Sequence, residues 1–167
     1  MGMKMPSWFD LYDLGDGKKY DEEGLLRATK EIHGLLDSDQ MEGVDPSRVV
    51  LGGFSMGGCL ALASAYTYSK SLAGIVALSC WIPSSFQEKL IKDMAGNKET
   101  PVLQGHGDRD MTVKYQAGSK TAEMIKTFNP HNHKFHTYEG MGHSSCPKEL
   151  ADVRDFLTSV LPPLGKV

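Results

Sequence analysis

Short strand-like segments alternate with segments of helical periodicity along this chain, and that alternation limits the folds it can adopt. Each strand-like segment has four to six residues, β-branched or apolar for the most part, and is flanked by turn residues. Strands that alternate with helices predict βαβ units, and hence an α/β fold with a parallel sheet covered by helices on both faces. The predicted strands are residues 48–51 (RVVL), 73–78 (AGIVAL), 101–104 (PVLQ) and 134–138 (KFHTY), and the predicted helices are residues 21–39, 59–68, 114–128 and 148–161.

Length and charge exclude several classes of function. The chain has 167 residues and a formal net charge of −3, which suit a single domain and offer no basic surface to nucleic acid or an anionic membrane. Its longest apolar run, residues 73–82, is far shorter than the ~20 residues of a membrane-spanning helix. The three cysteines match no zinc-binding spacing. We therefore expect one domain, residues 1–167, of a soluble cytoplasmic protein without a metal or a nucleic-acid partner.

Two segments give expectations about packing. Trp8 and Phe9 lie in a stretch without periodicity, and we expect both rings to pack on the domain. In the last predicted helix, Leu150, Val153 and Phe156 begin an apolar stripe at helical spacing. Such a stripe predicts that these side chains face the core.

A G-x-S-x-G motif, residues 53–57 (GFSMG), follows the first predicted strand. In this motif the serine, here Ser55, lies on a tight strand-to-helix turn, and the following helix points its N-terminal amides at the site. The pattern alone also occurs in ordinary glycine-rich turns. Its position between a predicted strand and a predicted helix favours a nucleophile at Ser55, with the backbone amide of Met56 as an oxyanion donor.

The loop after the third predicted strand offers two candidate acids. Ligand sites of parallel α/β sheets lie beyond the carboxyl ends of the strands, and residues 105–110 (GHGDRD) lie there. Either Asp108 or Asp110 could orient a histidine, and either could simply cap a turn. The residues alone do not tell which of the two aspartates is the acid. His106 precedes both acids, and we expect it to hydrogen-bond within its own loop rather than to act as a base.

One of the six histidines is placed to act as the base. A Ser–acid–His chain order requires a histidine after the acid; His131 and His133 precede the fourth predicted strand, and His136 lies inside it. His143 alone lies beyond that strand, in a glycine-flanked loop. Ser55, His143 and one aspartate would form a nucleophile, a base and an orienting acid, a set that needs no cofactor.

Five stretches of the chain resemble the acyl-protein thioesterases and lysophospholipases, which are small carboxylesterases of the α/β-hydrolase superfamily. The stretches are residues 5–10 (MPSWFD), 48–58 (RVVLGGFSMGG), 72–83 (LAGIVALSCWIP), 103–110 (LQGHGDRD) and 135–146 (FHTYEGMGHSSC). The resemblance implies a three-layer α/β-hydrolase sheet and makes Asp110 the acid of the triad. It also implies hydrolysis of acyl thioesters in S-acylated proteins or of lysophospholipid esters. Trp81 and Ile82 would belong to an acyl-binding wall or, equally, to the core.

The chain departs from that family in two places. Met56 stands where many members have Gln, which should change little because only the backbone amide is used. Family members begin with several dozen further residues, which supply the first strands and a second oxyanion amide, and we expect this chain to lack them. Loss of one oxyanion donor costs ~10²–10³ in rate. The strand before Ser55 would become an open edge of the sheet, through which the chain could self-associate.

Three functions remain open from the sequence. The first is a serine hydrolase of acyl thioesters or lysophospholipid esters. The second is a catalytically impaired remnant, or an interaction module that pairs its exposed strand with another chain. The third is a general carboxylesterase, which would prefer short acyl chains over palmitoyl thioesters.

Overall fold

The computed structural model describes residues 6–12, 19–38 and 41–163, and in this part of the chain four strands alternate with helices. The strands are β1 (Val50–Phe54), β2 (Gly74–Leu78), β3 (Val102–Gly107) and β4 (His133–Tyr138). The helices are α1 (Glu22–Leu36), α2 (Met56–Thr67), α3 (Ser84–Lys92), α4 (Tyr115–Lys126) and α5 (Pro147–Val160). A short 3₁₀ turn, Pro46–Arg48, precedes β1.

The four strands form one parallel sheet in the order β1–β2–β3–β4. Across the sheet, Gly53 pairs with Ala77, Ala77 with Gln104, and Gln104 with Phe135. Because all four strands run in the same direction, their carboxyl ends lie along one edge, where the loops that follow them meet. The predicted α/β fold with a parallel sheet is confirmed.

Helices lie on both faces of the sheet, which makes three layers. On one face, Ile75 and Ala77 join a core to which α1, α2, α3 and α4 all contribute. On the other face α5 approaches closely: a Cβ added to Gly74 would lie 2.9 Å from the ring of Phe156. The described helices are all too short or too polar to cross a membrane.

Three elements differ from the sequence predictions. Strand β3 continues to Gly107 and so includes residues 105–107, which were predicted to lie in the loop after it. The paired glycines predict a turn, but β1 continues through Gly52 and Gly53 to Phe54, because both glycines pair in register with β2. The sequence pattern did not predict α3. Its buried residues are only Phe86 and Leu90, one turn apart among polar side chains, and a segment this short gives a weak periodic signal.

Among the described residues, β1 pairs with β2 alone and forms an edge of the sheet, as expected. The continuous apolar run within residues 48–51 predicts a strand buried on both faces. That prediction is wrong, since Val50 and Leu51 are only half-buried and Gly52 and Phe54 are exposed. In a parallel strand, alternate residues direct both backbone polar groups to the same side. The amide of Ser55 bonds to β2, so Val50, Gly52 and Phe54 direct theirs to the open side.

Two packing predictions are wrong. Phe9 is buried as expected, but Trp8 is 52% exposed. Leu150 is 57% exposed, while its neighbour Glu149 is fully buried. The reason is the rotation of α5, which turns Glu149 and Phe156 towards the sheet. These two residues are seven positions apart and share one side of the helix, whereas Leu150 is turned about 100° away.

Candidate active site

Three side chains from distant parts of the sequence meet at the carboxyl edge of the sheet. Ser55 follows β1, Asp110 follows β3 and His143 follows β4. The hydroxyl of Ser55 lies 3.0 Å from Nε2 of His143. Nδ1 of the same imidazole lies 2.7 Å from Oδ2 of Asp110. The structure therefore brings together the serine, the histidine and one of the two aspartates that the sequence offered.

Ser55 lies on a strained turn between β1 and α2. Its backbone has φ 56° and ψ −122°, a conformation that residues other than glycine rarely adopt. The turn is so tight that a Cβ on Gly53 would lie 2.1 Å from the carbonyl of Gly57. The carbonyl of Ser55 accepts hydrogen bonds from the amides of Gly58 and Cys59 at 3.0 and 3.1 Å. The surroundings thus hold the serine at the start of α2 despite the strain.

The first amide of α2 is oriented towards the site by the same turn. Met56 is the first residue of the helix, and its N–H has no acceptor within the helix because the first four amides of a helix have none. The amides at a helix N-terminus attract negative charge. This arrangement suits the predicted use of the Met56 amide as a donor to an oxyanion that forms on a substrate bound at Ser55.

The structure separates the two candidate acids. Asp110 is buried, and its Oδ1 accepts hydrogen bonds from the amides of Thr112 and Val113 at 2.9 and 2.8 Å. These bonds fix the carboxylate and leave Oδ2 for His143. Asp108 is exposed and caps the β4 turn, with its Oδ1 2.7 Å from the amide of Gly140. Asp110 is therefore the aspartate that orients the imidazole.

The partners of His143 determine its tautomer. A carboxylate can only accept, so Nδ1 carries the proton that faces Asp110, and Nε2 accepts from the hydroxyl of Ser55. The imidazole also packs against the ring of Phe54, with 4.7 Å between the ring centroids. A histidine in this tautomer can remove the proton of the serine hydroxyl.

Four other described histidines bond elsewhere, and the first of them, His33, contacts the carbonyl of Ser64 at 2.8 Å. As expected, His106 makes a hydrogen bond within its own connection, to the carbonyl of Val113 at 2.8 Å. His133 bonds to a glutamine side chain of β3, and His136 to an aspartate of α5. Among the described residues, no group of three or more His, Cys, Asp or Glu side chains is placed to hold a metal ion.

The buried cysteines are poor competitors as nucleophiles. Burial raises the pKa of Cys80 to about 12 and raises that of Cys59 well above its usual range. Since the thiolate is the reactive form of cysteine, both side chains stay protonated and unreactive near neutral pH. Ser55 is the stronger candidate nucleophile, because its hydroxyl contacts a histidine that a buried carboxylate orients.

An apolar groove of about 780 Å³ runs along the outer edge of β1 and reaches Ser55. Its far wall is formed by Trp8 and by Ile32 of α1, and its floor by Leu60 and Ala61 of α2. Sequence reasoning missed this groove, because it depends on how the segment of Trp8 and the helices α1 and α2 pack beside the edge strand. Trp81 and Ile82 are buried and do not line it, so their part in an acyl-binding wall stays a prediction.

Comparisons with known proteins agree with this fold. A sequence model of a family described as phospholipase/carboxylesterase matches residues 1–161. The chain is 41% identical to acyl-protein thioesterase 1 of Neurospora crassa, over 98% of this chain and 69% of that protein. The crystal structure of Arabidopsis thaliana SOBER1 is 35% identical with a TM-score of 0.83, covering 96% of this chain and 76% of that one. That of Zea mays acyl-protein thioesterase 2 is 28% identical with a TM-score of 0.77, covering 93% and 72%.

Proposed function

Since the chain belongs to the phospholipase/carboxylesterase family, we propose that it is a serine hydrolase that cleaves acyl thioesters of S-acylated proteins, or related carboxylic and lysophospholipid esters. The observation that carries this proposal is the continuous pair of hydrogen bonds from Ser55 through His143 to Asp110, at 3.0 and 2.7 Å. A nucleophile, a base and an orienting acid joined in this way are the working parts of an acyl-transfer site.

Under this proposal each residue has one step in the reaction. The hydroxyl oxygen of Ser55 attacks the acyl carbon while Nε2 of His143 takes the hydroxyl proton. Asp110 stabilises the imidazolium that forms, and the Met56 amide donates to the oxyanion of the tetrahedral intermediate. His143 then gives the proton to the leaving thiol or alcohol. Water, activated by His143, hydrolyses the acyl-serine and restores the hydroxyl.

A labelling experiment tests the proposal directly. A fluorophosphonate probe forms a covalent bond with an activated serine, so we expect it to label the wild-type chain and not Ser55→Ala. Ser145→Ala is the matched control, because Ser145 is an exposed serine two positions after His143 and should not affect labelling. Well-folded wild-type protein that resists the probe would refute a working hydrolase, as would labelling that survives in Ser55→Ala.

The apolar groove supports a long acyl chain rather than a short one. Apolar side chains beside the nucleophile can cover the methylene groups of an acyl chain, which contribute about 0.8 kcal/mol each when buried. We expect Trp8→Ala to lower kcat/KM for palmitoyl thioesters more than for butyryl esters. Tyr12→Ala is the control, since Tyr12 is an exposed aromatic of the same segment that does not line the groove. Equal loss for both chain lengths would favour a general short-chain carboxylesterase.

The open side of β1 supports a second candidate function, an interaction module that self-associates. Val50, Gly52 and Phe54 direct their N–H and C=O groups outward, and β1 contains no charge, proline or bulge of the kind that protects natural edge strands. We propose that a second copy of this chain pairs with the open side of β1. Two antiparallel β1 strands related by a two-fold axis near Gly52 would pair all three outward residues of each copy without opposing like charges.

The oligomeric state tests this second candidate. We expect wild-type protein to dimerise as its concentration rises in size-exclusion chromatography with light scattering. A lysine on an edge strand prevents pairing, and a Cβ on Gly52 meets nothing closer than 3.5 Å, so Gly52→Lys should be a folded monomer. Gly34→Lys, at an open helical position, should still dimerise. A wild-type chain that stays monomeric at every concentration would rule this candidate out.

A further inference from the structure

A second histidine lies directly behind the acid of the site. His106, near the end of β3, has a fully buried side chain, and its Nε2 lies 2.8 Å from the carbonyl of Val113. The same nitrogen is 3.5 Å from Oδ2 of Asp110, the oxygen that accepts from His143. The Asp110 carboxylate therefore lies between two imidazoles.

The contacts of His106 fix its protonation. Both groups near Nε2 are acceptors, a carbonyl and a carboxylate, so Nε2 carries the proton. Nδ1 is buried and has no hydrogen-bond partner among the described residues. Burial lowers the pKa of this histidine, so the ring stays neutral near pH 7, with its N–H dipole directed at Val113 and Asp110.

We propose that His106 is a positioning residue that holds Asp110 in register with His143. Its hydrogen bond fixes the carbonyl of Val113, the residue whose amide, with that of Thr112, binds Oδ1 of Asp110. The turn is thus held from both sides, and Oδ2 is left to face His143. The inference rests on the proposed function, because it assigns a role in the same site.

Helix α4 is shaped to admit this ring. Gly118 packs directly on the imidazole, and a Cβ there would lie 2.2 Å from Nδ1 of His106. The backbone carbonyl of Gly118 accepts a hydrogen bond from Gln104 at 2.8 Å, which fixes the helix against β3. An alanine at this position would therefore displace the ring of His106 and disturb its contacts with Val113 and Asp110, so Gly118 offers an independent way to test the same contact.

Two substitutions of His106 separate positioning from packing. His106→Leu fills the space but removes the donor, and we expect the rate of fluorophosphonate labelling at Ser55 to fall about 10- to 100-fold, as misplaced catalytic groups do. In an esterase assay the loss should appear in kcat with KM unchanged. His106→Gln restores an N–H donor and should recover most of the rate. Leu and Gln variants that both keep wild-type kcat would overturn the proposal.

Proton NMR gives a readout that does not require activity. The hydrogen bond between His143 and Asp110 should produce a low-field Nδ1 proton signal in the wild type, whether or not the protein hydrolyses esters. We expect that signal to be lost in His106→Leu and retained in His106→Gln. Its persistence in His106→Leu would overturn the positioning role. Absence of labelling in a wild type that shows the signal would instead refute the proposed hydrolase activity.

A third variant and a measurement on the wild type keep the proposal testable if His106→Leu does not fold. Gly118→Ala should weaken the signal and the labelling, whereas Gly34→Ala, where a Cβ meets nothing within 4 Å, should change neither. In the wild type, nitrogen chemical shifts should show His106 neutral with its proton on Nε2 at pH 7 to 8, because burial lowers its pKa below the usual 6.5. A protonated ring, or a proton on Nδ1, would contradict the proposed hydrogen bonds.

Discussion

Asp110 divides its two carboxylate oxygens between the protein backbone and His143. Oδ1 accepts two amide hydrogen bonds at 2.9 and 2.8 Å, and Oδ2 lies 2.7 Å from Nδ1 of the imidazole. The carboxylate is thus fixed by its own turn before it meets the histidine. Because the two oxygens have different partners, replacing Asp110 with asparagine, which has nearly the same shape, should disturb the imidazole.

We expect Asp110→Asn to fold and to lose about 10⁴ in kcat, as loss of the carboxylate does in serine hydrolases. The asparagine must keep its oxygen on the two backbone amides, so its NH₂ group faces His143. Nδ1 would then have to accept, and Nε2 would carry the proton and could no longer take one from Ser55. Asp108→Asn is the control and should keep nearly full activity. Similar losses in both variants would contradict the assignment of the acid.

We expect Gly53→Ala to destabilise the chain by about 1–3 kcal/mol or more, in the range of overpacked sites. The added Cβ would lie 2.1 Å from the backbone of Gly57, and neither strand nor helix can move aside without displacing Ser55. Gly52→Ala is the matched control, since its Cβ would meet Val76 at an ordinary 3.5 Å. Urea unfolding of the two variants measures the difference, and equal midpoints would show that the turn is looser than the structure indicates.

Asn97 joins the loop between α3 and β3 to the loop between α2 and β2, at the amino ends of the strands and away from the active site. We expect its removal to lower the free energy of unfolding. Its side chain accepts from the amide of Leu72 at 2.7 Å and donates to the carbonyls of Tyr68 and Lys70 at 3.1 and 2.9 Å. Asn97→Ala would leave the buried amide of Leu72 without a partner, at about 1–3 kcal/mol for an unsatisfied group, whereas the carbonyl of Tyr68 would keep the amide of Gly96.

Exposed Asn132 provides the control for this prediction. It donates one hydrogen bond, to the carbonyl of Glu99 at 2.9 Å, so Asn132→Ala should change stability by less than about 0.5 kcal/mol. Thermal and urea unfolding should therefore separate the two variants clearly. An Asn97→Ala protein as stable as the wild type would show that the two connections do not depend on this side chain.

Glu149 should make stability fall as pH rises. Burial, and then the negative charge of Asp152, raise its pKa from 4.5 to about 7. Between these values the folded chain keeps a proton that the unfolded chain releases, so the free energy of unfolding decreases as pH rises through this window and levels off above it. A shift of this size corresponds to about 3 kcal/mol at most, at 1.36 kcal/mol for each pKa unit.

Comparison with Glu149→Gln isolates that effect. Burial lowers the pKa of His133 to about 4, which acts in the opposite direction, because stability is lost as pH falls from 6.5 towards 4. The two effects can cancel, so the free energy of unfolding of the wild type can change little with pH. The free energy of unfolding of Glu149→Gln should nevertheless rise relative to that of the wild type between pH 4.5 and 8. Urea unfolding across this range measures the difference between the two proteins. Parallel curves would show that Glu149 ionises normally.

The sequence predicted the parts of the fold that depend on local pattern. The alternation of strands and helices predicted the parallel α/β sheet, and the strand ends predicted where Ser55, Asp110 and His143 would lie. The choice between Asp108 and Asp110 depended on family resemblance, because both follow the same strand and only the path of the turn separates them. The hydrogen bonds from the amides of Thr112 and Val113 to Asp110 fix the path of the turn. The spacing of residues in the sequence does not predict these bonds.

Other features depended on tertiary contacts that a single sequence does not show. Leu150 has the spacing of a buried residue, but the position of α5 over Gly74 and Gly105 turns Glu149 inward instead. The exposure of Trp8 follows from its place on the wall of the groove beside β1, which depends on how α1 and α2 pack there. Glutamate is usually exposed and tryptophan usually buried. Composition and periodicity therefore predict an exposed Glu149 and a buried Trp8, the opposite of what the structure shows.

The position of β1 also affects how the site would fail under stress. Ser55 follows β1, which pairs with one other strand among the residues that the structure describes, whereas Asp110 and His143 follow strands on the far side of β2. Local opening of structure costs least where few hydrogen bonds hold a segment. Detachment of β1 would withdraw the hydroxyl and leave the aspartate and imidazole still joined. On mild heating, inactivation would therefore precede melting, and it would be reversible on cooling.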